Sequence, residues 1–303
     1  MNQLTRRELL EMVAAGVLLS GTATSAMAAR DDRIIISGAS GQLGGQAVKD
    51  LLATGVPAKN LILVSRTPDG LLEYAKLGAA TRFGDFARPE SLSAAFAGGT
   101  RMLLISIGTG AGPRPIAHGH AIDAAKAAGV KQIAYTSWLG ISKGDNQGIA
   151  VDHVATEELL RNSGVAYTFL RNSLYMEILL PQAAKMVADG KATIPPREVQ
   201  VGYVTRNDCA AAAAAVLASP GHDNKIYDIT GPALVGVREV AAAATAATGK
   251  PIALAPADPN APVARSFAGP SLAFTSTAVA DLTGRPATSI KAFLAENRAK
   301  LGS

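Results

Sequence analysis

The chain has 303 residues, enough to bury a full core in one large domain or two smaller ones. With 48% hydrophobic and 17% charged residues it is globular, and a net charge of +5 without a dense Lys/Arg run argues against a nucleic-acid surface while suiting an anionic cofactor. The single cysteine, Cys209, excludes an internal disulfide, a CxxC redox pair and a cysteine zinc cluster, and reads as a buried small residue.

Residues 1–28 read as an export tag. Thr5-Arg6-Arg7-Glu8-Leu9-Leu10 resembles the twin-arginine signal, and the apolar run 12–19 that follows is too short to span a bilayer. Ala26-Met27-Ala28 puts small residues where a signal peptidase inspects them, while Glu11 departs from the pattern, because a basic residue is commoner there. Arg6 and Arg7 are balanced by Glu8 and Glu11, so the mature chain keeps its charge of +5. The expectation is a periplasmic protein; a cytoplasmic one is the alternative. No transmembrane segment is predicted, and self-association is left open.

From residue 33 the pattern alternates strand and helix. Strands are predicted at 33–37, 61–65, 80–83, 101–107, 131–136 and 165–170, and helices at 42–54, 71–77, 89–97, 116–128 and 151–162. Continuous apolar strands between helices imply a parallel sheet covered on both faces. Beyond Arg171 the rhythm loosens. A helix at 173–188, short strands at 191–196 and 198–204, a helix from Thr205 to 216, a strand at 225–229 and helices at 237–248 and 290–300 are predicted, with 258–270 as a Pro- and Ala-rich loop. Thr205 can cap its helix with Asp208 three residues on.

The informative stretch is Gly38-Ala39-Ser40-Gly41-Gln42-Leu43-Gly44, with glycines three apart between a strand and a helix. The first allows a tight turn, the second lets backbone N–H groups approach a pyrophosphate, and the third lets helix pack on strand. The helix N-terminus then faces the phosphates with its positive dipole end. This predicts a Rossmann, doubly wound α/β sheet over residues 29–172. Residues 173–303 form a smaller C-terminal α/β substrate-binding part, with segments near 198–230 returning to the first domain. The second strand ends Val64-Ser65-Arg66-Thr67. NAD sites usually carry Asp or Glu there, whereas Arg66 can clamp a 2′-phosphate bidentately, so the expected cofactor is NADP(H).

With the further stretches "LLIS", "AAKAAGVKQIAYTS", "HVATEELLRNSGVAYTFLRNSLYMEIL" and "YVTRNDCAAAAAAVL", the chain resembles the NmrA-like branch of the atypical short-chain dehydrogenase/reductases, in particular its NADPH-dependent quinone oxidoreductases, over residues 34–230. The resemblance implies that Gly38 to Leu43 hold the pyrophosphate and Arg66 the 2′-phosphate. It places Asp85 and Phe86 beside the adenine, and Ser106, Ile107 and Gly108 along the nicotinamide half. Asn172, Ser173, Leu174, Tyr175, Met176 and Glu177 would wall the nicotinamide.

Two departures matter. The superfamily's Tyr-x-x-x-Lys pair is replaced by His153-Val154-Ala155-Thr156-Glu157, with Ser137 kept in the usual serine position. The cap portion at 258–270 is shortened, implying a more open substrate site. Three residues are therefore the catalytic candidates: His153, set against a structural histidine; Tyr175, which either hydrogen-bonds an acceptor oxygen or packs; and Ser137. Trp138 either floors the pocket or fills core space. His118 and His120 lack carboxylate or cysteine partners for a metal, so none is expected.

Hydride addition to a quinone gives a phenolate-like anion, with a pKa of roughly 10 by analogy with tyrosine, so no strong positioned acid is required. The expected activity is hydride transfer from NADPH to a small-molecule acceptor such as a quinone. The rival is a non-catalytic NADP(H) sensor, and a third option is another reductase or isomerase on the same scaffold. The twin-arginine route carries folded proteins, which reconciles export with a dinucleotide site.

Overall fold

The computed structural model describes residues 32–108, 113–257 and 269–302. The expected export tag at 1–28 and residues 258–268 of the Pro-rich stretch lie outside these.

Seven strands form one sheet: β1 (Ile34–Ser37), β2 (Leu61–Ser65), β3 (Ala80–Phe83), β4 (Arg101–Leu104), β5 (Gln132–Trp138), β6 (Ala166–Asn172) and β8 (Lys225–Ile229). Their spatial order is β3-β2-β1-β4-β5-β6-β8, with every pairing parallel. β1, β2, β4 and β5 are buried along their whole length. A strand buried on both faces reads as a near-continuous apolar run, clearest in β1 and β2 with their Ile, Leu and Val.

One face is covered by α1 (Gln42–Ala53) and α7 (Arg206–Ala218), whose Ala210, Ala212, Ala213 and Ala214 bring its backbone close to the sheet and to α1. The other face is covered by α3 (Leu92–Phe96), α4 (Arg114–Ala127) and α5 (Ile149–Ser163), through Phe96, Ala121, Ile122, Ala125 and Leu160. α2 (Leu72–Lys76) links β2 to β3. The chain order reverses between β1 and β4, opening a crevice at their carboxyl ends, where open α/β sheets bind ligands.

A smaller lobe gathers α6 (Leu180–Asp189), β7 (Lys191–Ile194), α8 (Val237–Thr248), β9 (Ala253–Pro256) and α10 (Ile290–Glu296) around Met186, Val187, Val240, Ala244, Phe293 and Leu294. The chain crosses back before entering it fully: α7 and β8 belong to the large sheet and its cover, and α9 (Ala278–Thr283) packs against α7.

Several expectations are corrected. Residues 198–204 form no strand. Their backbone groups pair one at a time with different partners, Val201 with Val235, Gly202 with Leu272 and Val204 with Leu174, so no ladder develops. The helix expected at 173–188 begins later, with a 3₁₀ turn at Met176–Leu179 preceding α6. β9 was missed because Ala253–Pro256 is exposed throughout, leaving no hydrophobic alternation to read.

Candidate active site

The crevice at the β1/β4 reversal is a cleft of about 620 Å³ lined by Ser37, Gly38, Ser40, Gly41, Ser65, Arg66, Thr67, Gly84, Asp85, Phe86, Ala87, Ile105, Ser106, Ile107 and Gly108. Four loops build it, each following the carboxyl end of a strand. In the first, Gly38 adopts φ +67°, a left-handed conformation that favours glycine. A Cβ at Gly44 would run into the carbonyl of Gly38, so only glycine lets α1 start this close to β1. Ala39 N–H donates to Val64 O (3.1 Å) and Gly41 N–H to Gly38 O (2.9 Å). The N–H groups of Gln42 and Leu43 in the first helical turn have no intrahelical carbonyl to meet and face the cleft end as donors for a phosphate. The side chains of Ala39 and Leu43 themselves are buried in the core.

Beside this turn, Arg66 is exposed and makes no ion pair among the described residues. Ser40 Oγ lies 2.6 Å from Ser65 Oγ, with Thr67 Oγ1 3.3 Å from Ser65 Oγ and 3.4 Å from Ser40 Oγ. Three hydroxyls and one free guanidinium at a single cleft end suit a dianionic phosphate. Sequence reasoning singled out only Arg66, although the hydroxyl residues flanking it in Ser65-Arg66-Thr67 were the signal for the rest.

Asp85 holds its own loop, accepting Ala87 N–H at Oδ1 (3.1 Å), and Phe86 O accepts from His120 Nδ1 (3.0 Å). The strand expected through Ile107 stops at Leu104, because side chains take over its pairing. Ile105 N–H donates to Ser37 Oγ (3.0 Å), Ser106 N–H to Thr136 Oγ1 (2.9 Å) and Ile107 N–H to His118 Nε2 (3.1 Å). His118 and His120 thus serve backbone groups, and the described residues hold no metal-ligating cluster.

The catalytic candidates are placed differently from expectation. His153 is 3% exposed and its Nδ1 lies 2.7 Å from the Tyr135 hydroxyl. Burial, with Arg114 and His118 nearby, lowers its pKa to about 3, so at neutral pH it carries no acidic proton and does not line the cleft. Of the two readings left open for His153, this burial favours the structural one. Ser137 is buried and donates to Glu157 Oε1 (2.7 Å), which also accepts from Arg171 Nε (2.9 Å), so its proton is engaged. Tyr175 is half-buried under the Arg206 guanidinium, 4.8 Å from its ring centroid, and burial raises its pKa. Trp138 fills core space with Leu139, Val201 and Leu272.

Asn172 closes β6 and Ser173 to Glu177 follow it, at the same carboxyl-end side of the sheet two strands beyond β4, and none of them lines the 620 Å³ cleft. Met176 is fully buried in the small lobe and Leu174 packs beside Trp138, so neither side chain is a wall. Glu177 Oε1 accepts the Arg206 N–H at the start of α7 (2.9 Å). Yet Asn172 Oδ1, Ser173 Oγ and Glu177 Oε2 are all buried without a hydrogen-bond partner among the described residues. Buried polar atoms are ordinarily paired. Glu177 Oε2 still meets Arg206 Nη1 at 3.7 Å, which leaves Asn172 Oδ1 at the end of β6 and Ser173 Oγ beside it as the two unpartnered atoms, suited to a ligand with a polar end.

Comparison with known proteins matches residues 38–220 to the NAD(P)H-binding family. The chain is 37% identical to quinone oxidoreductase 2 of Escherichia coli over 72% of its own length and 76% of the relative's. It is 31% identical to the NAD(P)H azoreductase of Xenophilus azovorans over 72% and 75%. The structure of the Citrobacter sp. triphenylmethane reductase complexed with NADP(H) superposes with a TM-score of 0.76 at 31% identity, covering 88% of this chain and 99% of that one.

Proposed function

The chain belongs to the NAD(P)H-binding, NmrA-like family, and from that premise we propose that it transfers hydride from NADPH to a quinone or a similarly conjugated small-molecule acceptor. It is an NADPH-dependent reductase: relatives act on quinone and azo acceptors, and a structural neighbour holds NADP(H). The non-catalytic sensor reading is not favoured.

Bound in the cleft, the dinucleotide supplies the hydride. The first-turn N–H groups of α1 hold the pyrophosphate, and Arg66 with Ser40, Ser65 and Thr67 holds the 2′-phosphate. Asn172 and Ser173 offer their unpaired atoms to the nicotinamide end. The observation that carries the choice of acceptor is the state of two of the candidate acids: Ser137 is engaged by Glu157 and His153 is neutral and enclosed. Tyr175, which burial makes a weaker acid than an ordinary tyrosine, is the proton donor left among the candidates, and with so weak an acid an alkoxide product is disfavoured. A quinone accepts two electrons and one proton equivalent as hydride, leaving a phenolate-like anion that water protonates. Incubating the protein with NADPH and benzoquinone under anaerobic conditions should yield one hydroquinone per NADPH oxidised. NADPH that binds but is not consumed would refute the reading.

We further read residues 1–28 as a twin-arginine signal and the mature protein as periplasmic. The support is the ordered sequence of paired arginines, apolar run and Ala26-Met27-Ala28. Mass spectrometry of periplasmic material should find a chain starting near Ala29, whereas an intact chain confined to the cytoplasm would contradict export.

A further inference from the structure

The backbone just after β4, at Ile107, is held by a closed ring of hydrogen bonds that the chemistry of the site does not explain. Ile107 N–H donates to His118 Nε2 (3.1 Å). An amide N–H can only donate, so Nε2 accepts and the imidazole proton sits on Nδ1. From there it is given to Thr156 Oγ1 (2.9 Å), whose own hydrogen goes to Asp152 O (2.8 Å). The Asp152 carboxylate pairs with Arg114 Nη1 (3.1 Å), and Arg114 Nε returns to Ile107 O (2.9 Å). Both backbone polar groups of one cleft residue are thus gripped from α4, and α5 closes the circuit. His118 is fully buried and Arg114 is 4% exposed, although neither touches the cleft.

We propose that Arg114 and His118 are positioning residues that fix the 105–108 backbone against the bound dinucleotide, through the ring Ile107–His118–Thr156–Asp152–Arg114. The inference rests on the reading that this cleft holds NADPH. An uncharged buried imidazole in a single tautomer is suited to the task. It presents one acceptor and one donor in fixed directions, and it packs edge-on between Phe86 (ring centroids 6.4 Å apart) and Tyr135 (5.5 Å). Backbone that has left the strand ladder needs such partners to hold one conformation.

The test measures NADPH affinity, hydrogen exchange of the peptide spanning 105–108, and the kcat and KM for benzoquinone, in the full chain. His118→Gln keeps an acceptor for Ile107 and a donor for Thr156, whereas His118→Ala removes both. His118→Ala should weaken NADPH about tenfold, speed exchange at 105–108 in the free protein and lower kcat with little change in quinone KM. His118→Gln should restore most of each. Thr156→Val, which breaks the ring without touching the loop, should move the same three readouts in the same direction by a smaller factor and carries the test if His118→Ala does not fold. Wild-type affinity and wild-type exchange in the folded variant would overturn the proposal, as would equal losses in His118→Ala and His118→Gln. The affinity and exchange arms need no acceptor. Loss of quinone turnover in the wild type would therefore strike the functional reading alone, and a wild type that does not bind NADPH would remove the premise.

Discussion

Arg66 is the residue on which we propose that cofactor choice turns. It stands exposed just after β2, lining the same cleft as the hydroxyls of Ser40, Ser65 and Thr67, where a carboxylate would repel a 2′-phosphate. Charge-assisted hydrogen bonds of this kind are worth about 1.5–3 kcal/mol. Arg66→Ala should therefore weaken NADPH binding by roughly tenfold to a hundredfold and leave NADH nearly unchanged; fluorescence titration of both cofactors reads this directly. Equal wild-type affinities for NADPH and NADH would contradict it. Arg66 was legible because its chemistry is local to one strand end. For His153 the sequence left two readings open, because its partner is Tyr135, whose hydroxyl reaches it across the packed face between β5 and α5, and nothing in the spacing of the two announces that pairing.

At the scale of elements, the site is a set of strand ends joined to helix starts. The β1–α1 turn is the tightest of these. Gly44→Ala should distort it, because the added methyl meets the Gly38 backbone rather than a flexible side chain. A loss of about 1–3 kcal/mol in denaturant unfolding is expected, together with a fall in NADPH affinity, and an unperturbed variant would mean the turn is looser than it stands. The same tightness made the turn readable, since a helix that starts against its own strand needs the small-residue spacing seen in the sequence. The segment 198–204 had no such signature. Its apolar alternation is real, but each backbone group answers to a different partner, and a period of two cannot distinguish a ladder from scattered bridges. The histidines of α4 carried no metal spacing, and their actual partners, backbone groups of the β3 and β4 loops, leave no trace in side-chain pattern.

Across the whole molecule, the large sheet and the C-terminal chain are joined at Asp208. This fully buried carboxylate accepts from Arg285 Nη1 (2.6 Å), Thr288 N–H (2.8 Å) and Thr205 Oγ1 (2.8 Å). The sequence revealed the cap between Thr205 and Asp208, three residues apart, but not Arg285, which lies 77 residues further on. Stability should also depend on pH through the two enclosed histidines. Burial lowers the pKa of both His118 and His153 to about 3 from the ordinary 6.5. Between those values the unfolded chain binds more protons, so their contribution is complete above about pH 6.5 and is lost as pH falls toward 3. The slope is at most about 1.4 kcal/mol per pH unit for each histidine. Denaturant unfolding at pH 7, 6, 5 and 4 should show His153→Gln losing stability less steeply than wild type; parallel curves would mean His153 already titrates in the folded protein.

The central claim is that this site holds NADPH for acceptors whose reduced anion needs no positioned acid. The most direct measurement compares kcat/KM for benzoquinone and for an aliphatic ketone, in the wild type and in His153→Gln. The account predicts NADPH-dependent quinone reduction, negligible ketone reduction, and a quinone rate in His153→Gln within about threefold of wild type, whereas a true general acid at that position would be worth roughly 100-fold or more. Ketone reduction at a rate comparable with the quinone's, or collapse of the quinone rate in a folded, NADPH-binding His153→Gln, would contradict it.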